Sequence, residues 1–165
     1  MKLESERLVY KKATEPDREN YLSWYTSNVI MRYITGKGMT DKAANARFEY
    51  ALDINNKFPE LGFYSANNKE DNKFIGIVKL VYYEGSQAEI GYGLMPEYWG
   101  KKYASEMLKC FVDYSKRISK INELIAIVDP QNIPSKKVLT KLSFTFLKNG
   151  LENERPAEYF VLSLK

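Results

Sequence analysis

The sequence predicts an α/β (α+β) fold: a mixed, mostly antiparallel central sheet of six to seven strands with helices on both faces. Three observations carry this expectation. LGFYSA (61–66), FIGIVKLVYY (74–83) and AEIGYGL (88–94) are apolar, β-rich runs separated by the polar, turn-forming segments NNKEDNK and EGSQ, which is the pattern of an antiparallel meander. A helical stripe at Ala104, Met107, Leu108, Phe111 and Val112 then leads to a continuous apolar run, ELIAIV (123–128), suited to a buried strand in a parallel step. Two helical stretches precede the meander and a short one follows the parallel step, so helices are available to cover both faces of the sheet.

Taken in order, Ser5 to Lys12 (SERLVYKK) reads as the first strand. Thr14 followed by Asp17 makes a capping-box start for a first helix carrying Tyr21, Leu22, Trp24 and Tyr25. Gly36 and Gly38 loosen the connection to a second helix after Thr40, in which Ala44, Phe48, Ala51 and Leu52 fall on one face. The meander, the stripe helix and its strand come next. A short helix from about Pro134 to Leu142 precedes two final strands near FTFLKN (144–149) and EYFVLSL (158–164). There is no internal repeat, low-complexity tract or linker. With 165 residues, 44% of them hydrophobic, the chain can bury one sizeable core but hardly two, so residues 1–165 are expected to form one domain.

Composition excludes several function classes. No uninterrupted apolar run approaches the roughly 18 residues of a membrane span, and the opening MKLESERL alternates charges where a signal peptide would be apolar. A cytoplasmic protein without membrane attachment is expected. The single cysteine, Cys110, cannot form an internal disulfide, and its place in the stripe helix marks it as a small buried hydrophobe. Without histidine the usual serine and cysteine triads and most zinc sites are absent, so no metal is expected. Lys and Arg outnumber Asp and Glu by 25 to 21, too small and scattered an imbalance to announce nucleic acid, but one compatible with an anionic small ligand.

The junction EIGYGLMPEYWGKKYASEM (89–107) is the most informative stretch. Pro96 lacks an amide hydrogen and restricts Met95, so regular pairing should stop there and the sheet should open at that point. The turn through Trp99, Gly100, Lys101 and Lys102 runs straight into the stripe helix, placing unpaired amides and the positive helix end beside two lysines. Such a place suits anions, phosphates above all. From these residues alone, an ordinary strand-to-helix turn with solvated lysines fits equally well.

The same stretch resembles the acetyl-coenzyme A segment of the GNAT superfamily of N-acetyltransferases, particularly the branch of ribosomal-protein N-terminal (alanine/serine) acetyltransferases. NIPSKKVLTKLSF (132–144) is similar to that branch's downstream signature, an Asn followed three residues on by Ser and later by a Lys, a small residue and Phe. ERLVYKKATEPD (6–17) resembles the family's first strand and turn, so the likeness spans nearly the whole chain in the expected order. The resemblance implies a GNAT-like sheet splayed in the middle. It implies that the backbone of Leu94 and Met95 pairs with the pantetheine arm of acetyl-CoA. The amides of Gly100, Lys101, Lys102, Tyr103, Ala104 and Ser105 would cradle the pyrophosphate, with Lys101 and Lys102 adding charge. Asn132 would hydrogen-bond the pantetheine, and Ser135 would stand near the thioester sulfur. The chain departs from the pattern at Lys102 and Ser143, where the family has glycine, and at Leu139, where many members carry a tyrosine acid. A Cβ at Lys102 could crowd the pyrophosphate unless the backbone there is ordinarily helical, and a left-handed Ser143 would cost on the order of 1 kcal/mol.

The implied reaction is direct acetyl transfer to a primary amine, a peptide N-terminus or a small molecule. It needs a neutral amine, a donor for the carbonyl oxygen and a proton for the thiolate. With reference pKa values of about 7.7–8.0 for an α-amino group and about 10.4 for lysine, roughly one tenth of the former but under one thousandth of the latter is neutral at pH 7. Glu89 is the candidate base, directly or through water; a strand glutamate facing solvent or paired with a lysine is the plainer reading. Ser135 is the candidate acid, with Tyr92, Tyr98 and Tyr103 in reserve, and an amide near Leu94 would meet the oxyanion. Asn132 and Ser135 are equally suited to capping their helix. Lys136, Lys137 and Lys141 could meet a phosphate or face water, with water the expected case. Trp24, Tyr25, Tyr33 and Phe48 could line an acceptor cleft or form core. Two other classes stay open: a non-catalytic acyl-CoA-binding or regulatory domain, and an anion-binding module for nucleotide or RNA using Lys101, Lys102, Lys136 and Lys137. A homodimer is also left open.

Overall fold

The structure, a computed structural model, describes residues 2–165. Strands β1 (Leu3–Glu4) and β2 (Leu8–Lys12) lead to helices α1 (Arg18–Tyr25), α2 (Asn28–Met31) and α3 (Asp41–Lys57). The meander is β3 (Gly62–Asn68), β4 (Phe74–Tyr82) and β5 (Gln87–Leu94). Then follow α4 (Tyr103–Ser115), β6 (Glu123–Val128), α5 (Ile133–Lys141), β7 (Thr145–Glu152) and β8 (Arg155–Ser163). The eight strands form one sheet in the order β1-β2-β3-β4-β5-β6-β8-β7. Every pairing is antiparallel except β5 with β6, the parallel step expected across the stripe helix.

The strand count exceeds the expected six to seven because the first predicted strand is a hairpin. Ser5 N–H turns back to the Leu8 carbonyl at 2.9 Å, separating β1 from β2. The four-residue α2 was not expected; Ser27 Oγ caps it by accepting the Ile30 N–H at 3.2 Å. Both predicted helix starts are found. Thr14 N–H donates to the Asp17 carboxylate at 2.8 Å in a 3-10 turn leading into α1, and Thr40 Oγ accepts from Ala43 N–H at 3.2 Å.

Period-two alternation sends neighbouring strand residues to opposite layers. On one face Tyr64, Val78, Leu80, Ile90, Leu94 and Phe160 pack with Met107, Leu108 and Phe111 of α4 and Leu139 of α5. On the other, Phe63 and Ile77 pack with Tyr21, Trp24 and Tyr25 of α1 and Ala44, Phe48 and Ala51 of α3. Phe111 is fully buried, so burying its side chain stabilises the fold by about 1.5–3 kcal/mol. A smaller cluster on the α1/α3 face joins Ile125, Ala157 and Tyr159 to Tyr83, Ile127 and Val161. Strand β7 is the outer strand and is exposed along most of its length. Among the described residues no helix is long and apolar enough to cross a membrane.

Candidate active site

The sheet parts in its middle, and the partition starts earlier in β5 than its sequence suggests. On the β4 side, pairing holds from Tyr82↔Ala88 to Gly76↔Leu94, and the Met95 N–H adds a last bond to the Ile75 carbonyl at 2.8 Å before Pro96 ends the ladder. On the β6 side, bridges run only from Gln87↔Glu123 to Glu89↔Ile125. The opening therefore begins just past Glu89, not at Met95. Because alternate residues of a ladder turn their peptide groups to opposite sides, the backbone of Met95 faces β4 and that of Tyr92 and Leu94 faces the gap. The Met95 carbonyl is also taken, by the Tyr98 N–H at 2.9 Å. Met95 is thus a correction: it has no free backbone group to offer a ligand in the gap. The Leu94 carbonyl accepts the Trp99 indole N–H at 2.9 Å, which leaves the Leu94 N–H and the Tyr92 peptide group directed into the opening.

Past this edge the chain enters α4 through two left-handed residues, Gly100 at φ +75° and Lys102 at φ +65°. Lys102 is the N-cap, so its backbone is not in the helical region that would have placed its Cβ harmlessly. Only glycine adopts such a conformation routinely, and the second αL residue turns successive amides toward one side. The first helical bond is from Glu106 N–H to the Lys102 carbonyl at 3.3 Å, and no side chain caps the helix. Among the described residues, none of the amides of Gly100, Lys101, Lys102, Tyr103, Ala104 and Ser105 has an acceptor. Lys101 and Lys102 are exposed beside them.

The cradle is fixed from behind. Glu106 accepts from Ser5 Oγ at 2.6 Å, Arg7 N–H at 2.8 Å and Arg7 Nε at 2.7 Å, and the Arg7 guanidinium lies 3.9 Å from the centre of the Tyr103 ring. Burial alone would push the Glu106 carboxyl up, but the hydrogen bonds from Ser5 and Arg7 outweigh it and hold the group below the usual carboxylate range. The first turn of α4 is thereby stapled to the β1–β2 hairpin.

On the α4/α5 face, β5 and α5 touch across the opening. Tyr92 Oη lies 3.0 Å from Ser135 Oγ and donates a longer bond, 3.5 Å, to the Ser135 carbonyl. Burial pushes the Tyr92 phenol up to about 12, with the serine contact pulling the other way. Asn132 Oδ1 caps α5 by accepting the Ser135 N–H at 3.3 Å, while its Nδ2 has no partner among the described residues. The capping reading of Asn132 is therefore realised in the structure. Tyr98 and Tyr103 pack against each other, ring centres 5.9 Å apart. Leu139 is fully buried core, and Ser143 takes the expected left-handed conformation at φ +73°. Lys136 pairs with Glu158 at 3.2 Å instead of facing only water, whereas Lys137 and Lys141 are exposed.

The opposite face holds Glu89, Gly91 and Gly93 of β5. Lys79 Nζ donates to Glu89 Oε2 at 2.6 Å, both side chains being mostly buried. A Cβ on Gly93 would lie 2.7 Å from the Trp24 ring, so Trp24 belongs to the core and also covers the backbone beside the gap. Tyr25 and Phe48 are buried core as well, while Tyr33 is half-buried. Arg155, at the start of β8, spans this side: its Nη2 donates to Asp129 Oδ2 at 3.0 Å and to the Arg32 carbonyl at 3.3 Å. Gly36 admits it, because a Cβ there would stand 2.5 Å from Arg155 Nη1.

The structure thus places Leu94 and the amides of Gly100 to Ser105 past the point where β5 leaves β6, Asn132 and Ser135 on the α4/α5 face against Tyr92, and Glu89 on the opposite face against Lys79. Beyond the residues singled out in the sequence it adds Lys79, paired with Glu89, and the Arg155–Asp129 pair admitted by Gly36. The spacing of Gly91 and Gly93 on one face of β5 was the signal for a close neighbour there; no local signal marks Arg155. Among the described residues no cluster of His, Cys, Asp and Glu could hold a metal ion.

Comparisons with known proteins agree with this geometry. A family model described as an acetyltransferase (GNAT) domain matches residues 7–145. The chain is 29% identical over 151 residues to a protein of Bacillus licheniformis named uncharacterized N-acetyltransferase p20, covering 90% of this chain and 84% of that one. Its fold is similar to the crystal structure of a GNAT-family acetyltransferase from Bacillus anthracis, with a TM-score of 0.84 at 22% identity, covering 99% of each chain. It is also similar to RimL, a ribosomal L7/L12 alpha-N-protein acetyltransferase in complex with coenzyme A, with a TM-score of 0.83 at 14% identity over 99% of this chain and 98% of that one.

Proposed function

The chain belongs to the GNAT acetyltransferase family, and from that premise we propose that residues 1–165 act as one N-acetyltransferase domain that moves acetyl directly from acetyl-CoA to a primary amine, a protein N-terminus or a small molecule. The observation that supports it best is the run of amides from Gly100 to Ser105, which have no acceptor among the described residues and stand at the mouth of a parted sheet. Such amides at a helix start, with Lys101 and Lys102 beside them, fit a diphosphate. When bound, acetyl-CoA supplies the activated acyl group. In this reading the Tyr92 peptide group holds the extended arm, to which the Asn132 Nδ2 also donates. The Leu94 N–H meets the developing oxyanion, where a preorganised donor in a site shielded from water is effective.

The acceptor approaches from the α1/α2 side, past Trp24 and Arg155. Glu89, at the point where the strands separate, takes its proton, with Lys79 fixing the carboxylate. Ser135 donates toward the leaving sulfur. An acceptor with an α-amino group asks least of Glu89, since roughly a tenth of it is already neutral at pH 7.

The alternative is an acyl-CoA-binding domain without catalysis, favoured by the Lys79–Glu89 ion pair and by buried Leu139 in the place of a tyrosine acid. Thermal stabilisation by acetyl-CoA followed by an amine panel tests both. Free thiol produced only with an amine supports the transferase; stabilisation with no amine-dependent thiol supports the binder; no stabilisation sinks the shared premise. A cytoplasmic location and a homodimer belong to the same proposal, the latter tested by sedimentation at micromolar concentration.

A further inference from the structure

We propose that Tyr92 is a positioning residue that acts through Ser135, its phenol donating across the gap to Ser135 Oγ so that the serine's own proton is free to face the departing sulfur. This rests on the reading that places Ser135 beside the thioester. The two oxygens are 3.0 Å apart, and they come from elements that are otherwise separating, β5 and the helix that follows β6. Either hydroxyl can donate at this distance; the phenol, the more acidic of the two, is taken as the donor and the serine oxygen as its acceptor. The backbone of Ser135 is held in place by Asn132 Oδ1, which accepts its N–H at 3.3 Å. Tyr98 and Tyr103, the other tyrosines of this junction, pack ring edge to ring face, whereas the hydroxyl in contact with Ser135 is that of Tyr92.

The chemistry needs such a backing group. A serine hydroxyl alone is far too weak an acid to give a thiolate its proton for good. As the carbon–sulfur bond breaks, its electron pair passes to sulfur, sulfur takes the Ser135 proton, and Oγ takes the Tyr92 proton. The amine's proton goes to Glu89 and from there to water, and the phenolate is refilled from water, so the net transfer is from amine to thiol and no reactant beyond solvent is required. Because burial keeps Tyr92 protonated until about pH 12, the group is loaded at any pH where the reaction would run.

The test combines Tyr92→Phe, Ser135→Ala and the double variant, read by turnover and by the thiol pKa of bound coenzyme A, followed from thiolate absorbance. Each single change should lower kcat by about tenfold to a hundredfold, at or just below the low end of general-acid effects, with KM for acetyl-CoA moved by less than about twofold. The double variant should be no slower than the slower single. The bound thiol pKa should rise by about one unit in either single variant and no further in the double. A structural role for Tyr92 would instead raise KM and multiply with Ser135→Ala. If Tyr92→Phe melts early, a fluorotyrosine at position 92 keeps the bulk, and the alkaline limb of kcat should follow its lower pKa. Normal turnover in Tyr92→Phe, multiplying effects, or an unmoved thiol pKa would overturn the proposal. Wild-type protein that binds coenzyme A and lowers its thiol pKa through Tyr92, yet acetylates no amine, would leave the pair standing and remove the transferase reading. Failure to bind coenzyme A would remove both.

Discussion

Replacing Lys102 with glycine isolates the strain in the turn that starts α4. Lys102 sits at φ +65°, ψ +17°, where a Cβ costs about 1–2 kcal/mol. Glycine removes that strain but loses about 0.5–1 kcal/mol of backbone entropy on folding, leaving a net gain of roughly 0.5–1 kcal/mol. The lysine side chain is exposed and makes no hydrogen bond or ion pair among the described residues, so its removal takes nothing else away. In a chain of this size 1 kcal/mol moves Tm by about 2–4 °C, so Lys102→Gly should melt about 1–4 °C higher. Lys102→Ala is the control, because it deletes the charge but keeps the Cβ and should bring no gain. Both variants lose one cation near the anion cradle, so both should bind acetyl-CoA a few-fold more weakly, and the deficit should shrink in high salt. Calorimetry and titration on the three proteins decide the matter. If Lys102→Ala stabilises as much as Lys102→Gly, charge repulsion and not backbone strain is the cause.

Three other changes probe the rest of the site. Glu89→Gln should lower turnover by about a hundredfold or more for high-pKa amines and much less for amines of low pKa; equal losses across a panel of acceptors would reject Glu89 as the base. Gly36→Ala would put a Cβ 2.5 Å from Arg155 Nη1 at a backbone φ of +92°, so Arg155 should leave Asp129 and Arg32. The expected result is a raised KM for the amine with unchanged acetyl-CoA affinity, and an unchanged amine KM would show that Arg155 does not border the acceptor path. Glu106 has its carboxyl held below the ordinary 4.5, so it contributes stability that is present above that pH and is lost as pH falls through the lower folded value. Acid titration of the melting temperature should therefore drop more steeply below pH 4.5 in the wild type than in Glu106→Gln, and parallel curves would refute the assignment.

Much of this architecture was legible because it is local. Period-two runs gave the meander, the Ala104–Val112 stripe gave α4, and Thr14 and Thr40 announced their helices through hydrogen bonds spanning three residues. The opening of the sheet was legible only in part, because Pro96 governs pairing with β4 whereas the departure of β6 has no marker in either strand. Met95 was misjudged for the same reason: the side of the ladder a peptide faces follows from register, which Ile75 sets from another strand. Tyr92 and Ser135 meet at a separation of 43 residues, and Arg155 reaches Arg32 across 123, so neither contact leaves a trace in its neighbourhood. The four-residue α2 is too short for any periodicity to reveal.

The bare amides between Gly100 and Ser105 bear on how the protein is handled at the bench. Inorganic phosphate and sulfate offer the same tetrahedral oxygens as the ligand proposed for that spot, so they should compete for it. Acetyl-CoA affinities taken in phosphate buffer should read weaker than those taken in HEPES at equal ionic strength, and ammonium sulfate in a storage buffer should raise the melting temperature by occupancy as well as by salting-out.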